Sequence, residues 1–115
     1  MADPNCLFCR IIRGEIPSKK VYEDEHVFAF EDINPQAPTH VLVIPKQHFA
    51  GLKEAEPGDA EIIGRCHLAA ANIARHRKIE SGYRTVLNVG PGAGQSVFHL
   101  HVHLLGGRAL KWPPG

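Results

Sequence analysis

At 115 residues the chain has room for one hydrophobic core and not for two. Its 43% hydrophobic and 22% charged content is ordinary for a globular protein. A formal net charge of +1 leaves no basic surplus to draw nucleic acid or an anionic membrane. No apolar run reaches the roughly 20 residues that cross a bilayer. The segment Met1–Asn5 has neither the basic nor the apolar region of a leader, so a cytoplasmic protein is expected. In that compartment Cys6, Cys9 and Cys66 are thiols or metal ligands rather than disulfides.

Asn5 is a candidate N-cap for a short helix over Cys6 to Arg13, with Gly14 as its stop and Leu7, Phe8, Ile11 and Ile12 as its apolar stripe. Lys20–Tyr22 and His26–Asp32 read as strands joined by the acidic turn Glu23-Asp24-Glu25. In the second strand Val27 and Ala29 face one way, Phe28 and Phe30 the other. Two prolines exclude regular structure from Asn34 to Pro38. The continuous apolar run His40–Ile44, ended by Pro45, suits a central strand buried on both faces. Pro57 and Gly82 bracket one long helix. Ile62, Cys66, Ala69 and Ile73 form its stripe at i, i+4, i+7 and i+11. Arg84–Val89 is a further strand, and Gly90-Pro91-Gly92-Ala93-Gly94 a loop. The tail from Gly106 to Gly115 has little core character. The expectation is a single α+β domain over residues 1–115: about five strands in an antiparallel sheet, one long helix and a short N-terminal helix.

Eight histidines are the compositional outlier. Three of them form His99-Leu100-His101-Val102-His103, whose alternation predicts a strand with the imidazoles on one face and Phe98, Leu100, Val102 and Leu104 on the other. A packing face has no use for three polar rings, so this segment is expected to wall a site. Near neutral pH an imidazole is a nucleophile, a general acid or a metal ligand according to its partners. Spacing alone leaves catalysis about as favoured as its alternatives, a metal patch or solvated histidines on an exposed strand. The glycine loop ahead of it, with Gln95 and Ser96, reads by itself as a hairpin turn, but beside three histidines its close backbone amides suit phosphate oxygens. It is not a dinucleotide fingerprint, because no helix follows it.

His99-Leu100-His101-Val102-His103-Leu104-Leu105 resembles the His-x-His-x-His-x-x motif of the histidine triad (HIT) superfamily, x being apolar. The resemblance continues through Phe8–Ile12 with Glu15–Pro17, Asp32–His40 and Val43–Lys46. Gly106-Gly107-Arg108 and Trp112-Pro113-Pro114-Gly115 are similar to the Hint branch, the purine nucleoside phosphoramidases. By that resemblance His101 is the nucleophile that becomes nucleotidylated, and His103 helps protonate the leaving group. His40 and His99 support His101. Asn88 and Ser96 meet the scissile phosphate region, Gln95 and Val97 approach it through backbone amides, and Asp32 accepts the ribose hydroxyls. Phe8, Ile11, Phe30, Ile33 and Leu42 surround a purine. A homodimer is implied, with the long helix and the strand before the glycine loop at its interface. Position alone would put Phe30 and Leu42 in a core, and would make Asp32 a cap on its turn. His26, His67 and His76 match nothing in the motif and read as surface or helix histidines. Val89 stands where some Hint proteins carry an acidic residue, which bears on substrate preference.

Cys6 and Cys9 lie one helical turn apart, half of a tetrahedral zinc site; two unligated buried cysteines are the competing reading. Some bacterial members of the family carry zinc on such a pair with two histidines. The resemblance thereby implies His48 and His99 as the remaining ligands of a structural zinc ion, with no cofactor for catalysis. His99 is then either a zinc ligand or a catalytic support. The implied activity is cleavage of the P–N bond of nucleoside 5′-phosphoramidates. The alternatives are a dinucleoside polyphosphate hydrolase, against which the Trp-Pro-Pro-Gly ending argues, and a non-catalytic nucleotide-binding adaptor.

Overall fold

The computed structural model describes residues 3–115; Met1 and Ala2, part of the stretch read for a leader, lie outside it. The short helix α1 (Leu7–Ile12) is capped by Cys6 and not by Asn5. The Cys6 sulfur accepts the Cys9 N–H at 3.4 Å, while the Asn5 N–H turns back to Asp3 Oδ1 at 2.9 Å. Gly14 ends the helix as expected. At φ +78° its N–H reaches the Ile11 carbonyl, and the Glu15 N–H reaches that of Arg10.

Strands β1 (Lys20–Glu23) and β2 (Val27–Glu31) form an antiparallel hairpin. Asp24 makes its turn, with Oδ1 accepting the N–H groups of both His26 and Val27 at 2.8 Å. Strand β3 (Thr39–Pro45) is buried along its whole length. It pairs with β2 on one side and with β5 (Val102–Gly106) on the other; β4 (Tyr83–Val86) closes the far edge. The sheet is antiparallel throughout, in the order β1-β2-β3-β5-β4. The expected α+β architecture, with one long and one short helix, is present.

Helix α2 (Ala60–His76) follows a tight turn at Pro57–Asp59, where Glu56 and Asp59 cap each other's backbone. Its predicted stripe meets one face of the sheet: Cys66, Ala69 and Ile73 are buried with Val27, Ala29, Val41, Val43, Val102 and Leu104, and Ile62 packs at the margin. The helix stops well before Gly82. Lys78 adopts φ +59°, and the Ile79 N–H folds back to the Ala74 carbonyl. On the opposite face Phe28, Phe30, Leu42 and Ile44 pack beneath Phe8 and Ile11 of α1. The alternation read in β2 therefore holds, although both faces are covered.

Three strand predictions shorten, β2 only by His26 and Asp32 at its ends. Pairing of β4 ends at Val86 rather than Val89. The histidine segment enters the sheet only at Val102, so of the triad His103 alone is a strand residue, flanked in register by Leu42 and Val86. Ahead of it the Leu100 N–H bonds the Phe49 carbonyl at 2.9 Å, tying the segment to the connection after β3 instead of to a strand. Phe98, assigned to the apolar face, is half exposed. Gly106 belongs to β5 rather than to the tail, and the stretch beyond it is mostly exposed. No helix among the described residues is long and apolar enough to cross a membrane.

Candidate active site and metal cluster

The triad histidines lie on the α1 face of the sheet, with His99 and His101 buried and His103 half-buried. Phe8 wedges against both buried rings, its ring centroid 5.9 Å from His99 and 5.2 Å from His101; the His101 and His103 centroids are 5.0 Å apart. Backbone groups assign the tautomers. His101 Nδ1–H donates to the His99 carbonyl at 2.8 Å, which leaves the Nε2 lone pair of a neutral ring uncommitted. His99 Nε2–H donates to the Pro45 carbonyl at 2.8 Å, which leaves Nδ1 bare.

His40 is set by a third backbone group: the Gln36 N–H donates to its Nδ1 at 3.0 Å, so the ring proton sits on Nε2. That proton faces His103 Nδ1 at 2.9 Å and Asp32 Oδ2 at 3.3 Å. His103 consequently carries its own proton on Nε2. His40 thus supports His103, whereas the resemblance had it supporting His101. His99 acts on His101 through its carbonyl and not its ring. Burial lowers the proton affinity of His101, and burial with the neighbouring His101 and His40 lowers that of His103 to about 4. Both rings are neutral at pH 7.

Asp32 joins these rings to a cavity of about 760 Å³ lined by Ile11, Pro17, Phe30, Asp32, Ile33 and Pro35 among others. Its Oδ1 accepts the Asn34 N–H at 2.8 Å, so the carboxylate does cap its turn while facing the cavity. Ile33 is fully exposed at the rim. Phe8 and Leu42 lie in the apolar cluster beneath and do not line the cavity. In the loop that precedes the triad, Gly90 and Gly94, at φ +85° and +94°, bracket a single tight turn at Pro91–Ala93. Asn88 Nδ2 lies 3.9 Å from where a Cβ at Gly94 would stand. Ser96 is exposed and Val97 half-buried. Their N–H groups meet no protein acceptor among the described residues.

The bare His99 Nδ1 points away from this site, into a second one. It lies 3.4 Å from Cys6 Sγ, 3.5 Å from Cys9 Sγ and 3.0 Å from His48 Nδ1, and Cys9 Sγ is 3.4 Å from His48 Nδ1. All four donor atoms fall within 4.8 Å of one another. Two sulfurs at about 2.3 Å and two nitrogens at about 2.0 Å around one tetrahedral ion stand roughly 3.3–3.8 Å apart, so this donor set fits zinc. The site spans three parts of the chain: α1, the turn after β3, and the triad segment. Burial raises the Cys6 thiol above its ordinary value, and a bound cation favours its loss of the proton. His48 Nε2 lies 3.8 Å from Asp3 Oδ2, and the Asp3 N–H reaches Cys9 Sγ at 3.4 Å. Cys66 is outside this cluster, on the buried face of α2 against the sheet, where burial pushes its thiol up to about 12.

Sequence reasoning missed the groups that choose the tautomers, namely the Gln36 N–H and the Pro45 and His99 carbonyls. As backbone atoms they have no residue-type signal. It also missed Lys19, Ser18 and Pro17 at the cavity wall. His26, His67 and His76 take no part in either site, as expected.

The motif, the fold and this geometry agree with the comparisons. Residues 13–110 match the HIT domain family model. A 14 kDa zinc-binding protein of Zea mays is 54% identical over 115 residues, covering 98% of this chain and 90% of that protein. A structure named as a HIT family hydrolase from Legionella pneumophila superposes with a TM-score of 0.94 at 49% identity, covering 96% of this chain and 100% of that one. A histidine triad nucleotide-binding protein from Candida albicans superposes with a TM-score of 0.81 at 34% identity, covering 95% and 83%. This chain belongs to the HIT domain family.

Proposed function

We propose that the protein is a purine nucleoside phosphoramidase and nucleotidyl hydrolase. The observation that carries this reading is the buried His101, its Nδ1–H spent on the His99 carbonyl, its Nε2 lone pair uncommitted and burial favouring the neutral ring. Nε2 attacks the α-phosphorus of a nucleoside 5′-phosphoramidate while the P–N bond breaks. The ring takes positive charge as the N–P bond forms, and the His99 carbonyl stabilises the proton held at Nδ1. The departing amine needs a proton. His103 is neutral in the free protein, but an anionic phosphate entering beside it favours its charged form: the ring takes a proton from solvent at Nδ1, the His40 N–H turns to Asp32, and His103 passes its Nε2 proton to the amine. Water then attacks the phosphorus as the P–Nε2 bond to His101 breaks, its proton passing to His103 Nε2, and the nucleoside monophosphate is released.

Asp32 takes the ribose hydroxyls on the carboxylate oxygens that face the cavity, and Ile11, Phe30 and Ile33 hold the base, over a floor of Phe8 and Leu42. Ser96 and Val97 offer their amides, and Ser96 its hydroxyl, to the phosphate; Asn88 stands beside that loop. Cys6, Cys9, His48 and His99 would hold a zinc ion whose contribution is to cross-link α1 to the triad segment, with no catalytic cofactor. The Zea mays relative's name and the donor geometry support that assignment. The Legionella and Candida names support a nucleotide hydrolase. The edge strand β4 and the exposed Leu68 on α2 suit a homodimer, and three free cysteines suit the cytoplasm.

The test is turnover of an adenosine 5′-phosphoramidate followed by amine release, with diadenosine polyphosphate as the competing substrate. Mass spectrometry of trapped protein should place a nucleotidyl group on His101. Full activity in His101→Ala overturns the mechanism. Faster polyphosphate hydrolysis overturns the substrate class, and absence of turnover on either leaves a binding protein.

A further inference from the structure

Gln95 was expected to meet the phosphate through its backbone amide; its side chain does something else. It is buried, 6% exposed, in a loop whose neighbours Gly94 and Ser96 are exposed. Oε1 accepts the Gly90 N–H at 2.9 Å, and the Gln95 backbone N–H returns to the Gly90 carbonyl at 3.1 Å, closing the glycine turn on itself. Nε2 donates to the Ala50 carbonyl at 2.7 Å and to the Val97 carbonyl at 3.2 Å. A primary amide has two N–H donors, so both are spent and none remains for a ligand.

The backbone it grips is shaped to receive it. A Cβ on Gly51 would stand 3.2 Å from Gln95 Nε2 and 3.3 Å from Oε1. Gly51 is extended, at φ 179°, so conformational freedom does not explain the glycine; room for the Gln95 amide does. The Leu100 N–H to Phe49 carbonyl bond makes a second stitch between the same two segments.

The geometry points to Gln95 as a positioning residue for phosphate recognition: its side-chain amide clasps the start of the glycine loop, the far side of Val97 and the Ala50 strap, and so aims the Ser96 and Val97 amides. This deepens the proposed nucleotide reading and rests on it. Unclasped, a loop with three glycines has many conformations to lose on binding, and the loss falls on the phosphate alone.

The decisive measurement is calorimetric binding of AMP and of adenosine to the full chain. Gln95→Glu keeps the shape and the acceptor for Gly90 but sets an oxygen against two carbonyls. It should weaken AMP about tenfold at pH 8 and leave adenosine unchanged. Gly51→Ala, which leaves every hydrogen-bonding group in place and crowds the clasp, should weaken AMP by a few-fold with adenosine again unchanged. Equal losses for AMP and adenosine in either folded variant, or unchanged AMP binding in both, overturn the proposal. If Gln95→Glu does not fold, Gly51→Ala decides alone by the same criterion. Wild-type protein that binds AMP no better than adenosine overturns the phosphate loop itself, and with it this role.

Discussion

Acidification should destabilise the fold through His103, by an amount that its surroundings set. Burial, then His101 and His40 beside it, hold its proton affinity near pH 4, against 6.5 for a free imidazole. The unfolded chain accepts a proton on this ring as pH drops through 6.5, and the folded chain does not until about 4. The contribution is therefore fully present above pH 6.5 and is lost progressively as pH falls toward 4. Between pH 7 and pH 5 the loss is about 2 kcal/mol. Urea unfolding from pH 5 to pH 8 in the presence of a chelator, so that release of a cation does not contribute, measures it. His103→Asn removes the titrating group while keeping a polar side chain opposite His40. Wild type should lose about 2 kcal/mol more than this variant across that interval. Parallel curves would show that the His40–His103 pair is solvated well enough to accept charge, and would refute the reasoning.

Chelation should lower stability by about 2.7 kcal/mol for an ion present at roughly a hundred times its Kd. Cys9→Ser should give a protein whose melting no longer responds to chelator and whose zinc content falls well below one per chain. Gly107→Ala combines a φ of +88° with a Cβ 2.9 Å from Pro38 Cβ, and should cost about 2 kcal/mol or more in denaturant. Leu104→Ala empties a fully buried position between the sheet and α2 and should cost about 3 kcal/mol without altering nucleotide affinity.

The sheet was legible because its signals are local. The apolar run at β3 admits one use, a strand covered on both faces, and β2's alternation sorted its residues between two layers before any partner was known. The stripe on α2 was equally local, since apolar residues at 3.6-residue spacing share one helix face whatever layer they meet. Element ends were less legible. Cys6 took the cap from Asn5, its sulfur accepting the Cys9 N–H, and Lys78 turned the chain just past α2 where no glycine marked the stop.

The chemistry of both sites was written in residue types: imidazoles at period two, a Cys-x-x-Cys pair, a carboxylate before a proline-rich turn. Those types say what each group can do and not which neighbour it meets. The period-two spacing suggested three equivalent rings on one strand, and only packing made them unequal. The Phe49–Leu100 bond pulls the first half of the segment out of the sheet, turning His99 toward the cysteines and leaving its carbonyl to hold His101. The tautomers were beyond sequence altogether. They depend on the Gln36 N–H and on the Pro45 and His99 carbonyls, and every residue type carries such groups identically; their meaning comes only from where the fold places them.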